Sequence, residues 1–129
     1  MGKMMVLGAS DNPQRYSCKA VKSLARNGYE VMAVGIRPGL IKSTHIQTGL
    51  TSEIEILAGT PEVGDVDTVL LYMGEKKQRE YYDYLLSLKP RRVIFNPGSE
   101  NRELQEILEA EGIETVKDCA LIMINTDTF

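Results

Sequence analysis

Short unbroken apolar runs alternate along the chain with stretches where apolar residues recur every three or four positions. Lys3–Ala9, KMMVLGA, is apolar without alternation, the pattern of a strand buried on both faces. Residues 17–27 place Ala20, Val21, Leu24 and Ala25 at helical spacing, and Gly28 stands where a helix ends on a left-handed residue. YEVMAVG, Tyr29–Gly35, reads as the next strand. Strand, helix and strand thus follow within about 35 residues, the length of a right-handed parallel crossover. DTVLLYM (Asp67–Met73), RRVIF (Arg91–Phe95) and IETVK (Ile113–Lys117) predict further strands. Between them the spacing predicts a helix from Lys76 to Leu88, with Tyr81, Tyr84, Leu85 and Leu88 on one face and Pro90 beyond its end. A later helix, capped by Ser99 and carrying Leu104, Ile107 and Leu108, ends at Gly112. CALIMINT, Cys119–Thr126, predicts a short helix closing the edge of the sheet.

This alternation predicts an α/β fold: a Rossmann-like, doubly wound parallel sheet of about five strands with helices on both faces. Residues 39–66 break the pattern. They contain no clear helix, and THIQTG and SEIEIL alternate apolar with polar residues, which predicts a small extra hairpin or an edge strand. No linker or repeat interrupts residues 1–129, so the expectation is a single domain.

Composition narrows the function classes. A net charge of −3 argues against a nucleic-acid partner, which wants a basic face. No apolar run approaches the roughly 18 residues needed to span a bilayer, so no membrane partner is expected. Two cysteines do not make a disulfide framework, and with no evident targeting segment the expected setting is cytoplasmic.

In open parallel sheets, ligands sit beyond the carboxyl ends of the strands. That rule selects residues 8–18, 35–42, 73–76, 96–101 and 118–119. In the first segment Gly8 and Ala9 permit close backbone approach. Ser10, Ser17 and the helix amides that follow can donate to a phosphate, aided by the helix dipole, and Arg15 adds a planar cation. The spacing is not G-x-G-x-x-G, however, and an ordinary turn built on Pro13 with Ser17 as helix cap explains the same residues.

At the end of the second strand, VGIRPG offers Arg37, with Lys42 behind it, where an NAD site would want an acid. This suits a ligand with an extra phosphate near the ribose, such as NADP or coenzyme A; two solvated loop charges are the alternative. NPGSEN, Asn96–Asn101, combines a turn with a helix start. There Glu100 and Asn101 are either polar contacts, a catalytic pair, or groups favoured simply by the helix end. His45, the only histidine, has no evident partner for metal binding. Cys18, near a helix start, and Cys119 are candidate thiols or packing residues. Tyr81, Tyr82 and Tyr84 form a helix stripe that reads as core.

Taken together, GAS-x-NP-x-RYS after the first strand, GYEV-x-x-V at the second, RVIFNPGSEN-x-EL and DCALIMI resemble the stand-alone CoA-binding domain family. That family is similar to the N-terminal Rossmann domain of the succinyl-CoA synthetase alpha subunit. The likeness covers nearly the whole chain and implies binding of coenzyme A or an acyl-CoA with no reaction attached. It implies that Gly8, Ala9, Ser10, Arg15, Tyr16 and Ser17 surround the CoA phosphates. Arg37, Pro38 and Lys42 would lie along the adenosine and its 3′-phosphate. Tyr72, Met73, Asn96, Pro97 and Gly98 would border the pantetheine path. The chain departs from the family where LIKSTHIQTGLTSEIEIL replaces a compact G-x-x-x-G turn and one short strand. The phospho-transfer histidine of the synthetase belongs to another domain, and His45 does not match it.

The expectation is a carrier, sensor or regulatory module that holds CoA or acyl-CoA without catalysis, as a monomer or weak homodimer. A mixed disulfide between Cys119 and CoA is a variant of it. The rival is an NADP-dependent reductase or another nucleotide-using enzyme.

Overall fold

The computed structural model describes residues 2–129. In chain order it runs β1 (Lys3–Leu7), α1 (Tyr16–Arg26), β2 (Val31–Gly35), β3 (Gly39–Thr44), β4 (Thr51–Ala58) and β5 (Val66–Leu71). There follow α2 (Glu75–Gln78), a 3-10 turn (Arg79–Tyr81), α3 (Tyr82–Leu88), β6 (Arg92–Phe95), α4 (Arg102–Ala110), β7 (Glu114–Lys117) and α5 (Ala120–Asn125). The strands form one sheet in the order β3-β4-β2-β1-β5-β6-β7. Every pairing is parallel except that of β3 with β4.

The unbroken apolar strands are those covered on both faces. In β1, Met4 and Val6 enter the core layer shared with α1 and α5, whereas Met5 and Leu7 enter the layer under α3 and α4. β6 divides likewise, Ile94 to the first layer and Val93 and Phe95 to the second. α1 buries Cys18, Ala20, Val21 and Leu24 on one face. It stops as its spacing predicts: the Gly28 N–H donates to the Ala25 carbonyl (3.1 Å) and the Tyr29 N–H to the Leu24 carbonyl (3.0 Å). Gly112 and Ile113 repeat this closure on Glu109 and Leu108 after α4.

The structure corrects the sequence reading in three places, while residues 39–66 form the hairpin that their alternation predicts and bring the sheet to seven strands. β4 joins β2 in parallel, with Ile56 opposite Ala33, and β3 turns back along its outer edge. The helix expected over 76–88 is broken, since the 3-10 turn separates α2 from α3. Its end holds, with Lys89 in the left-handed region just before Pro90. The cap of α4 is Asn101, whose Oδ1 accepts from the Leu104 N–H (3.2 Å), because the Ser99 hydroxyl is committed to the Leu71 carbonyl (3.0 Å). Finally, α5 does not close the sheet edge: Ala120, Met123 and Ile124 pack in the layer of α1.

Near the opposite end of the sheet, Arg91 grips Asp67 with two hydrogen bonds of 3.0 and 3.1 Å. That grip holds the Asp67 carboxyl below its usual range, with partial burial opposing and the Thr68 hydroxyl helping. A depressed folded-state pKa stabilises the fold fully above the unfolded value of about 3.9, and the effect disappears as pH falls through the folded value. Asp67→Asn is therefore expected to lose at most about 1 kcal/mol at pH 7, the pair being partly exposed. Urea midpoints of variant and wild type should converge in acid. A gap that persisted there would show that the charge of Asp67 is not what matters.

Candidate functional site

The strand order reverses at β1, which feeds α1 on one face while its neighbour β5 feeds α2 and α3 on the other. At the carboxyl ends of these strands a cleft of about 820 Å³ opens, lined by the turns after β1, β2, β5 and β6. Its floor is backbone. Gly8 has φ +98°, its N–H and that of Ala9 both donate to the Val34 carbonyl at 2.9 Å, and the Tyr72 N–H donates to the Leu7 carbonyl at 2.9 Å. A Cβ at Gly8 would stand 2.5 Å from the Tyr72 carbonyl oxygen, and one at Gly35 would run into the Ala9 carbonyl. The small residues of this turn thus let three strand ends meet, and any approach by a ligand comes on top of that.

From the floor the chain rises through nested turns. The Ser10 hydroxyl accepts from the Asn12 N–H (3.1 Å), the Asn12 side chain from the Gln14 N–H (3.0 Å), and the Asn12 carbonyl from the Arg15 N–H (3.0 Å). α1 then starts with Arg15 in the cap position and no side-chain cap. Its first backbone bond runs from the Lys19 N–H to the Arg15 carbonyl (3.2 Å), so the amides of Tyr16, Ser17 and Cys18 have no helical acceptor. Ser17 lies inside the helix and does not cap it. A helix start left open beside an arginine offers donors and positive charge suited to an anion.

Gly8, Ala9, Ser10, Arg15, Tyr16 and Ser17 all line the cleft, as do Arg37 and Pro38 at the end of β2. Tyr72 and Met73 border it beyond β5, and Pro97 and Gly98 beyond β6. Two expected residues do not. Lys42 is exposed on β3, opposite Glu53, because the chain resumes as a strand at Gly39 and runs away from the strand ends. Asn96 is buried: its amide donates to the Leu71 carbonyl (3.0 Å) and its oxygen accepts from the Ala120 N–H (2.8 Å), so it clamps the wall without facing the cleft.

Other residues of the selected segments line the cleft too: Ile36 beside Pro38, Asp11 and Gln14 in the first loop, and Gly74 and Ser99 at the β5–β6 end. Ile56 and Lys77 lie outside those segments and were missed. Lys77 was findable, since the first turn of a helix belongs to the strand end before it. Ile56 was not, because only the pairing of β4 with β2 brings it there.

The remaining candidates resolve by their contacts. The Glu100 carboxylate accepts from the Gly98 N–H (2.8 Å). Asn101 caps α4 and also donates to Gln78 (3.0 Å) and the Tyr82 hydroxyl (2.9 Å). Burial pushes the Cys18 thiol up, with Lys22 opposing and Asp11 reinforcing, so the helix start does not acidify it. Burial, reinforced by Cys119 nearby, also pushes the Tyr72 phenol up, and its hydroxyl is buried without a partner among the described residues. His45 uses Nδ1 to accept the Gln47 and Thr48 amides in the β3–β4 turn. No cluster of His, Cys, Asp or Glu among the described residues is arranged to hold a metal, and no described helix is long and apolar enough to cross a membrane.

Comparison with known proteins agrees with this picture. The family described as "CoA binding domain" matches residues 2–125. A crystal structure of an uncharacterized protein is 41% identical, with a TM-score of 0.86 over 100% of this chain and 98% of that one. A hypothetical protein from Pyrococcus horikoshii OT3 shares the fold at 20% identity, with a TM-score of 0.79 over 98% of this chain and 83% of its own. A protein from Thermus thermophilus does so at 22% identity, with a TM-score of 0.78 over 99% and 91%. No curated protein matches the chain.

Proposed function

The chain belongs to the CoA binding domain family, and from that premise we propose that its cleft holds coenzyme A or an acyl-CoA without turning it over. The observation that carries the proposal is the open start of α1, with Arg15 in the cap position and Arg37 across the cleft. Neither arginine makes a salt bridge among the described residues. The amides of Tyr16, Ser17 and Cys18 with Arg15 would take the pyrophosphate. Arg37 would meet the 3′-phosphate, and Pro38, Ile36 and Ile56 would give the adenine an apolar wall. The pantetheine arm would then run past Tyr72 and Met73 toward Pro97 and Gly98.

The chain leaving β2 carries Arg37 where an NAD site has an acid of its own for the ribose hydroxyls, and the nearby carboxylate, Asp11 against Gly39, comes from the first loop. NADP is the rival that Arg37 alone does not exclude. Glu100 and Asn101, the nearest approach to a catalytic pair, are occupied by Gly98, Gln78, Tyr82 and Leu104. This favours a carrier, sensor or regulatory module over an enzyme.

Calorimetric titration with CoA, dephospho-CoA and NADP tests the proposal. CoA is expected to saturate the protein, and removing the 3′-phosphate to weaken binding about tenfold, a difference of about 1.4 kcal/mol. Arg37→Ala should erase most of that difference. Saturation by NADP but not CoA would replace this reading with the reductase, and silence from every ligand would remove the site altogether.

A further inference from the structure

In the loop after β1, the Ser10 hydroxyl and the Asn12 side chain accept backbone N–H groups of the loop itself. The Asp11 carboxylate between them lines the cleft and makes no hydrogen bond or ion pair among the described residues. It nonetheless has a defined seat. A Cβ on Gly39 would stand 2.9 Å from Asp11 Oδ2 and 3.2 Å from its Cγ, so the carboxylate rests where Gly39 lacks a side chain. Ile56 Cδ1 lies 3.2 Å from the same point, and the charge of Asp11 reaches the Cys18 thiol in the first turn of α1. Asp11 thus stands between the open helix start and the apolar wall that Ile56 forms with Pro38.

The ribose of coenzyme A joins the two groups that those places would hold, its 5′-oxygen carrying the pyrophosphate and its C1′ the adenine. With the pyrophosphate on α1 and the adenine against Ile56, the edge of the sugar faces Asp11. Because the carboxylate lies on the adenine side, against Gly39 and Ile56, it meets the ribose oxygen nearer the base. In CoA that oxygen is the 2′-hydroxyl, a donor that an ionised acceptor binds strongly. In NADP the same oxygen carries a phosphate, which has no proton to offer and brings like charge against the carboxylate.

We propose that Asp11 accepts from the ribose 2′-hydroxyl and makes the cleft select a 3′-phosphorylated adenosine over a 2′-phosphorylated one, favouring CoA over NADP. This rests on the CoA reading of the cleft, and the test separates the two. The protein is titrated with CoA and with its isomer that carries the phosphate on the 2′-oxygen instead of the 3′. Wild type should prefer CoA by about tenfold, the scale of one hydrogen bond to a charged group. Asp11→Asn should weaken CoA, strengthen the isomer and bring the two within about twofold, because an amide accepts less strongly and can donate to a phosphate. Gly39→Ala keeps the charge of Asp11 but pushes the carboxylate off its seat, and should narrow the preference as well. Equal affinities of wild type for the two isomers would overturn the proposal, and so would a preference that survives either substitution. An Asp11→Asn variant that strengthens both isomers by the same factor would also overturn it, since Asp11 would then only repel anions. Failure of both isomers to bind would instead bring down the parent reading, and this one with it.

Discussion

Gly8→Ala is expected to destabilise the protein by about 3–5 kcal/mol, the sum of a strained backbone and an overpacked contact. The strain arises because φ at Gly8 is +98°, which an L side chain rarely adopts. The overlap arises because the new Cβ would stand 2.5 Å from the Tyr72 carbonyl oxygen and 2.8 Å from its carbon. Neither atom can retreat easily. β1 and β5 are in register from Met4 with Thr68 to Leu7 with Leu71, and the Tyr72 N–H is tied to Leu7. For a domain of this size the melting temperature should fall by more than about 10 °C. CoA affinity, measured where the variant is still folded, should drop as well, since the Gly8–Ser17 loop is anchored at this point. Gly74→Ala is the control: Gly74 has φ −69°, and a Cβ there would meet nothing within 4 Å. A Gly8→Ala variant as stable as that control would mean that the turn is slack, and its role as the floor of the cleft would be lost.

How much of this was legible in the sequence depends on how far each feature reaches. The strands β1, β5 and β6 stand out because both of their faces are covered, which leaves Met4–Leu7, Val69–Leu71 and Val93–Phe95 as apolar runs without a polar break. The helix ends at Gly28 and Gly112 are local devices, read from a few residues, and they hold. The loop Gly8–Ser17 identified itself by residue type, although the need for Gly8 proved to be the approach of Tyr72. β4 is different. The alternation of SEIEIL announces a strand but names neither its neighbour nor its direction, and its place beside β2 is a long-range choice. Lys42 followed from that gap: with residues 35–42 taken as one loop it stays near Arg37, and with β3 starting at Gly39 it moves away. Lys77 slipped through for the converse reason, because a helix was expected from Lys76 and the search of the strand end stopped there. The two cap-capable residues Ser99 and Asn101 are separated by a tertiary contact, the hold of Leu71 on the Ser99 hydroxyl, which no local pattern carries.

Asn96 is where sequence and structure assign different work to one residue, and the difference is measurable. As a lining residue on the pantetheine path, its loss would weaken CoA binding and spare the fold. The geometry predicts the reverse. Its side chain is 1% exposed and joins the end of β5, at the Leu71 carbonyl, to the first amide of α5, at Ala120. Asn96→Ala would leave the Ala120 N–H buried without an acceptor. The Leu71 carbonyl would keep the Ser99 hydroxyl as a donor, so the damage falls mainly on α5. One unsatisfied buried donor costs about 1–3 kcal/mol, and with the small void left behind the expected loss is about 3 kcal/mol. Ser99→Ala removes one of two donors to the same carbonyl and should cost only about 1 kcal/mol. Hydrogen exchange should show the same asymmetry, with Asn96→Ala accelerating the α5 amides and Ser99→Ala leaving them protected. A stable Asn96→Ala protein with weakened CoA affinity would instead put that side chain back on the ligand, and the clamp between β5 and α5 would have to be reassigned.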